Sequence, residues 1–239
     1  MKKNFAVKFL YLTLHHKVLL IMNNQEEQLQ ALSDIRSMME RSSKFIYLNG
    51  LSGVFVGLLA LICSGLIQLI VEMANEDNGT TYNYYSALMS NGKLNPTLLS
   101  EYGFLAVTLL ILSIGLSTWL TIRKAKKQGV KIWDETAKRL FINMMIPLVT
   151  GGIICLLLLH HLQVQFIAPF MLIFYGLALV NASKYTFDDI RYLGIIEIAL
   201  GLVASFFVEE GLIFWAFGFG VMHIVYGVMM YFKYKNKKA

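Results

Sequence analysis

Long apolar stretches separated by short polar segments dominate the chain. Six of these stretches can cross a bilayer as helices, because a transmembrane helix needs about 20 mostly apolar residues. We place them at 45–71, 104–122, 141–160, 166–183, 191–208 and 212–232. The links from the third to the fourth and from the fifth to the sixth are short, which predicts antiparallel pairs. The pattern predicts an all-α fold over 45–232, a polytopic membrane domain of six transmembrane helices arranged as three hairpins.

The composition agrees with this prediction. Hydrophobic residues make up 56% and charged residues 15% of the 239 residues, whereas a soluble domain has about 45–50% and about 25%. The net charge of +6 is compatible with nucleic acid binding, but the basic residues lie at the ends of the apolar stretches. We therefore expect the lipid bilayer, and no nucleic acid, as the partner of the chain. Cys63 and Cys155 both lie inside apolar stretches, which argues against a disulfide framework.

The positions of lysine and arginine predict the orientation in the membrane. All of them except Lys93 lie before the first span, in the loop 123–139, in the link after the fourth span or in the tail. With six spans these four segments share one side, which the positive-inside rule makes cytoplasmic. We expect both termini inside, a basic cytoplasmic tail at 233–239, and a multi-pass protein of the bacterial inner (cytoplasmic) membrane.

Residues 1–44 are predicted to form a cytoplasmic N-terminal segment. Residues 1–21 have the basic start of a signal peptide, but His15, His16 and Lys17 interrupt the apolar part and no cleavage site follows. An interfacial helix is one interpretation of residues 1–21; the interpretation that we prefer is that they are not translated and that the chain starts at Met22. Beyond Met22, apolar residues at helical spacing predict an amphipathic helix. These residues are Leu29, Leu32, Ile35 and Met39.

Two ionisable residues, Glu197 and His223, interrupt the last two apolar stretches at matching positions. Each has a glycine three residues before it and another four residues after it, and each set of three falls within a stripe of about 60° on a helix. Small residues at such spacing allow transmembrane helices to approach closely. The four glycines are Gly194, Gly201, Gly220 and Gly227. A similar set, Gly50, Gly53 and Gly57, lies in the first stretch and suggests a two-helix repeat.

The matching positions predict that Glu197 and His223 meet. A turn centred near Glu210 lies 13 residues from each of them, so both lie about 20 Å below the outer surface. Since a buried charge persists only when it is paired, we expect the two groups on facing stripes and joined by a hydrogen bond. The pair is either a packing lock that fixes helix register or a proton-linked site that titrates as one unit.

The sequence contains no signature of an enzyme, such as HExxH, GxSxG or a phosphate-binding loop. His160 and His161 are adjacent, and adjacent side chains on a helix diverge by about 100°, which is poor for chelation. We expect no enzymatic activity, no cofactor and no metal site. The stretch "TTYNYY" at 80–85 is either a ligand-binding element or a folded cap on the outer side.

Three segments together carry a resemblance: "MMERSSKFIYLNGLSGVFVGLLAL", "RYLGIIEIALGLVASFF" and "GLIFWAFGFGVMHIVYGVMMYFKY". They resemble a family of uncharacterised six-helix bacterial membrane proteins of Bacteroidetes-type genomes, often encoded beside a winged-helix regulator. The resemblance covers most of the chain from Met22 onward and implies no residue roles. A looser likeness relates the chain to acid-resistance membrane proteins built from two-helix repeats.

Two functional hypotheses follow from these features. The first is a non-enzymatic sensing, stress-response or scaffold role, with a cytoplasmic regulatory protein or a second copy of the chain as partner. The alternative is a small proton-coupled transporter or channel that uses Glu197 and His223. The spans contain few further polar residues to line a pathway, which counts against the alternative.

Overall fold

A computed structural model describes residues 29–30, 32, 50–78, 83–90, 92–127 and 133–235. The chain divides into two units, Met1–Lys44 and Phe45–Ala239. In the first unit the described residues are helical, and both Leu29 and Leu32 are exposed. The rest of the predicted amphipathic helix, the start of the first predicted span and the end of the basic tail lie outside the described residues.

The described part of the second unit is almost entirely helical. Its seven α-helices are α1 (Gly50–Asn78), α2 (Pro96–Lys127), α3 (Glu135–His160), α4 (Ile167–Ala182), α5 (Asp189–Phe206), α6 (Gly211–Trp215) and α7 (His223–Lys235). A π-helical segment, Ala216–Met222, joins α6 to α7. Between α1 and α2, strand β1 (Met89–Ser90) pairs antiparallel with β2 (Lys93–Leu94), and Gly92 takes the positive φ of 73° in the turn.

Five helical stretches in the described residues are long and apolar enough to cross a membrane. They are Gly50–Asn75, Pro96–Lys127, Glu135–His160, Val164–Tyr185 and Val208–Lys233. These stretches indicate a membrane protein. The remaining predicted span corresponds to α5, which is helical as expected but has only 18 residues and carries Asp189, Arg191 and Glu197. Because α5 is only 18 residues long, no span-length part of it avoids these three charges, whereas each of the other five stretches contains an 18-residue part with at most two.

Several helices extend beyond the apolar stretches that predicted them, because local capping and not hydropathy decides where a helix starts. Helix α2 begins at Pro96, a residue suited to the first helical position, and the side chain of Asn95 accepts a hydrogen bond from the Thr97 amide at 3.1 Å. Helix α3 begins at Glu135 behind the N-cap Asp134, whose carboxylate accepts from the Ala137 amide at 2.7 Å. Both helices therefore begin in polar sequence before their apolar part.

The helices pack as two groups. One group consists of α3, α4 and α5, in which α4 contacts both of the others. In the other group, α1 contacts α2, the π-helical segment and α7. The groups meet mainly where α4 and α5 contact α6 and the π-helical segment.

Glycines lie at close backbone contacts between helices in both groups. A Cβ atom on Gly194 or Gly201 of α5 would lie 2.7 Å from a carbonyl oxygen of α4. A Cβ atom on Gly57 of α1 would lie 2.6 Å from the carbonyl oxygen of Gly220, and one on Gly227 would lie equally close to that of Gly50. Because the obstacles are backbone atoms, no side chain larger than hydrogen fits without separating the helices.

These contacts correct one prediction. The glycine stripes of the last two predicted spans do not face each other: Gly194 and Gly201 contact α4, whereas Gly220 and Gly227 contact α1. Equal spacing within two helices shows that each has a small-residue face, but it does not identify the partner of that face. The partner is decided by how all the helices pack.

Polar contacts show which helix ends lie together. At one end of the bundle the Lys233 ammonium of α7 donates to the carboxylate of Asp189 at the start of α5, at 2.7 Å. At the opposite end the Tyr84 hydroxyl donates to the carbonyl oxygen of Gln165 at 3.2 Å. Tyr84 also packs next to Gly211, at the start of α6. This tyrosine of the "TTYNYY" stretch therefore contacts other loops and helix ends, as a folded cap would.

Candidate functional site

The candidate site contains three side chains from three different helices. Glu197 comes from the middle of α5, Tyr175 from α4, and His223 is the first residue of α7. The Glu197 residue is 0% exposed and His223 is 5% exposed. The site therefore lies inside the protein, where polar groups require partners.

The imidazole of His223 is held at both ring nitrogens. Its Nδ1 lies 3.0 Å from the carbonyl oxygen of Gly218, and its Nε2 lies 2.8 Å from the hydroxyl of Tyr175. Because a carbonyl oxygen only accepts, Nδ1 carries a proton and donates it to Gly218. In the neutral ring Nε2 then accepts from the Tyr175 hydroxyl, and in the charged ring it donates to the hydroxyl oxygen.

The carboxyl group of Glu197 lies beside this imidazole. Its Oε1 is 3.5 Å from His223 Nδ1. Neither of its oxygens has a hydrogen-bond partner among the residues that the structure describes. The structure thus brings the two predicted ionisable residues together, but the Nδ1 proton is directed to Gly218 and the carboxyl group is left without a donor.

Gly218 provides the space for the carboxyl group. A Cβ atom at this position would overlap Glu197 Oε2 and would lie 2.6 Å from the side chain of Leu172. Leu172 is completely buried, so solvent does not reach the carboxyl group past this side chain. The absence of a side chain at Gly218 is therefore what allows a carboxyl group to fit at this depth.

The wide turn of the π-helical segment shapes this part of the site. It covers Ala216–Met222 and ends immediately before His223. An extra residue in a helical turn shifts the following side chains around the helix axis, and such insertions occur frequently at functional sites. Here the turn includes Gly218, whose carbonyl oxygen accepts the side-chain proton of a residue five positions later.

Aromatic rings surround the imidazole on two sides. Phe219 stacks on His223 with a centroid distance of 5.9 Å and an interplanar angle of 17°, and Trp215 continues the stack at 5.1 Å from Phe219. Tyr175 packs against Phe219 at 4.8 Å. A change in the position or charge of the His223 ring therefore changes the surroundings of the aromatic rings that pack around it.

Two members of the site were missed by the sequence analysis. Tyr175 lies in an apolar stretch, and a tyrosine hydroxyl buried there needs a polar partner. This requirement was the signal that could have pointed to a contact such as the one with His223. Gly218 lies in "AFGFG" and falls outside the stripe of Gly220 and Gly227. A π-helical turn brings it towards His223, whereas the glycine stripes were predicted for regular α-helices.

The arrangement can hold protons in more than one way. Glu197 and His223 together are neutral either as a carboxylic acid beside a neutral imidazole or as a carboxylate beside an imidazolium. Binding a further proton to this unit, or losing one, places a net charge in an apolar interior and therefore favours a change in packing or hydration.

The other candidate groups occupy different surroundings. The rings of His160 and His161 contact each other at 5.1 Å, and both residues are exposed. Within the described residues no group of three or more His, Cys, Asp or Glu side chains is arranged to hold a metal ion. Both Cys63 and Cys155 are free thiols in the structure.

Comparisons were made with protein-family models, curated proteins and solved structures. None of them matches this chain. The family resemblance seen in the sequence therefore stays a prediction.

Proposed function

We propose that this chain is a six-span protein of the bacterial cytoplasmic membrane with both termini inside, acting without enzymatic activity in sensing or stress response. The sensing element is the buried unit formed by Glu197, His223 and Tyr175. A cytoplasmic regulatory protein, or a second copy of the chain, receives the signal.

The six-span arrangement counts α5 as a span despite its charges. Asp189 and Arg191 lie in the first turn of α5, at the helix end that contacts Lys233, so they can reach the headgroup region. Glu197 is then the only charged side chain of α5 that has to be placed in the hydrocarbon region, and it faces the protein interior. The cationic end of α2, with Lys124, Lys126 and Lys127 in its last turn, supports a cytoplasmic loop after it.

One observation carries the sensing proposal: the Glu197 carboxyl group is fully buried, and no described group donates a hydrogen bond to it. A packing lock would be expected to satisfy both of its partners, because an unsatisfied buried polar group costs about 1–3 kcal/mol. A group kept in an unsatisfied position is more useful for proton binding than for stability.

The site is also well placed to change the packing. Tyr175 and Glu197 belong to the group of α3, α4 and α5, whereas His223 and Gly218 belong to the group that contains α1. When the charge of the unit changes, the hydrogen bond donated by His223 Nδ1–H can switch from the Gly218 carbonyl oxygen to Glu197 Oε1, which is only 3.5 Å from Nδ1. This exchange alters the contact between the two helix groups.

Tryptophan fluorescence tests the proposal directly. Trp119 and Trp133 are exposed whereas Trp215 is buried in the aromatic stack, so a Trp119→Phe, Trp133→Phe background leaves Trp215 as the single reporter. In lipid nanodiscs we expect the Trp215 emission to shift as the pH is changed over roughly 5 to 8. The substitution Glu197→Gln should abolish this shift, because the amide does not titrate and no longer supplies the carboxylate that would stabilise a buried His223 imidazolium.

A matched control is Glu209→Gln, which changes an exposed glutamate in the link before α6. We expect the pH response of this variant to equal that of the parent. A response that persists in Glu197→Gln, or no response in the parent, would contradict the proposal.

A proton-coupled transporter or channel is the second candidate, favoured by the same unsatisfied carboxyl group. Its test is a proton flux in proteoliposomes, measured with an enclosed pH-sensitive dye. A flux that is lost in Glu197→Gln would assign the site to transport. A pH-dependent Trp215 signal in the absence of flux would assign it to sensing.

A further inference from the structure

The surface of α2 carries a second feature, which is independent of the Glu197 site. Apart from Ala125, no residue of α2 is buried, although the helix is long and apolar enough to span a membrane. Towards its C-terminal end five residues line an open groove of about 450 Å³. They are Trp119, Ile122, Arg123, Lys126 and Lys127.

The groove has one basic part and one apolar part. Arg123, Lys126 and Lys127 are all exposed, and no carboxylate within the described residues forms an ion pair with them. The Arg123 guanidinium lies over the Trp119 ring at 5.4 Å, which holds one cation beside an apolar wall. Three uncompensated cations at one helix end favour an anionic ligand.

The positions along the helix fit the interfacial zone of a bilayer. With a rise of 1.5 Å per residue, Arg123 lies about 6 Å beyond Trp119, and Lys126 lies about 10 Å beyond it. The headgroup zone on each side of a bilayer is about 5–8 Å thick. With Trp119 at the edge of the hydrocarbon, where tryptophan is enriched, Arg123 lies at the depth of the lipid phosphates. The backbone of Lys126 lies just beyond the headgroup zone, and its long side chain can reach back into it.

We infer that this groove is a binding site for the headgroup of an anionic phospholipid. The phosphate contacts Arg123 and Lys126, while the first part of an acyl chain lies along Trp119 and Ile122. A lipid is favoured over a free phosphate ion because the cations adjoin an apolar wall that continues into the exposed, membrane-facing length of α2. The exposed indole and guanidinium form the two halves of one amphipathic site.

The test is lipid titration of the full-length chain in detergent, followed by native mass spectrometry to count bound lipids. We expect the first phosphatidylglycerol to bind more tightly than the first phosphatidylcholine. In the Arg123→Ala, Lys126→Ala variant the phosphatidylglycerol affinity should fall about thirtyfold, since each cation near a headgroup contributes about 1 kcal/mol.

The matched control is Lys138→Ala, Arg139→Ala, which removes two exposed cations from the first turns of α3. This variant has the same net charge as the test variant and should retain the parent affinity. Equal loss in both variants would show general electrostatic attraction and would overturn the site. Equal affinity for the two lipids in the parent would overturn it as well.

A further arm separates the lipid from a free anion. Addition of inorganic phosphate at millimolar concentration should leave lipid binding unchanged. Competitive displacement of phosphatidylglycerol by phosphate would identify a phosphate-ion site and refute the lipid assignment. The variant Trp119→Ala keeps every charge but removes the apolar wall and the cation–π contact. It should therefore weaken the binding of phosphatidylglycerol. Unchanged binding would contradict the proposed position of the acyl chain along Trp119.

Discussion

Replacement of Glu197 by methionine distinguishes a packing lock from a functional carboxyl group. Methionine has a volume similar to that of glutamate and carries no group that requires a hydrogen bond. Since neither oxygen of Glu197 accepts a hydrogen bond from a described group, the substitution removes a buried unsatisfied group that costs about 1–3 kcal/mol. We expect Glu197→Met to raise the free energy of unfolding by an amount of this order.

The neighbouring groups keep their own partners in this variant. His223 remains bonded to Gly218 at 3.0 Å and to Tyr175 at 2.8 Å, so no new unsatisfied group is created. The contrasting variant is His223→Met, which leaves the Tyr175 hydroxyl and the Gly218 carbonyl without this partner. It should lower the free energy of unfolding by about 1–3 kcal/mol for each group that stays unsatisfied.

Reversible unfolding in mixed micelles, titrated with sodium dodecyl sulfate, measures both variants against the parent. A packing lock predicts the opposite sign for Glu197→Met, with a loss of about 0.6 kcal/mol or more. A destabilised Glu197→Met would therefore refute the interpretation of the carboxyl group as an unsatisfied, functional one. A variant that is more stable than the parent and has lost the pH response of Trp215 would show that the carboxyl group lowers stability and is required for the proposed function.

Two further predictions concern the packing and the loop cap. Gly201→Ala should destabilise the protein by about 1–3 kcal/mol, because the added Cβ would lie 2.7 Å from the Pro169 carbonyl oxygen. The control Gly152→Ala has nothing within 4 Å of the added Cβ and should be neutral or stabilising in the same titration. Equal effects of the two substitutions would contradict the close-packing assignment. Burial, together with the nearby Tyr85, raises the pKa of Tyr84, whereas the unfolded phenol has its usual pKa of about 10. The stability that depends on the neutral Tyr84 phenol is therefore complete below about pH 10 and is lost as the pH rises further. The difference between the thermal unfolding midpoints at neutral and alkaline pH should accordingly be smaller in Tyr84→Phe than in the parent. An equal difference in both proteins would exclude this contribution.

The sequence was sufficient for the features that depend on one helix at a time. Apolar length predicted the all-helical fold, and five of the predicted spans correspond to helical stretches that can cross a membrane. The α5 region was also predicted as a helix, but its three charges leave its membrane insertion as a proposal. Helix ends were less predictable, because caps such as Asp134 extend a helix into polar sequence.

The candidate site was only partly accessible in this way. Glu197 and His223 stood out because an ionisable side chain in an apolar stretch is costly and therefore rarely incidental. The distance of 3.5 Å between Glu197 Oε1 and His223 Nδ1 is not a property of either helix, since it depends on how α5 and the π-helical segment pack against each other and against α4. Tyr175 and Gly218 became visible only once that placement was known.

The chain by itself thus determined that its helices are apolar, that several have a face of small residues, and that two ionisable groups are buried. Tertiary structure alone decided that the glycines of α5 contact α4 while those of the last predicted span contact α1. The physical reason is that hydropathy and periodicity act within one helix, whereas the choice of partner depends on the shapes of all the helices packed together. The same packing left the Glu197 carboxyl group beside an imidazole whose two ring nitrogens are already hydrogen-bonded to Gly218 and Tyr175.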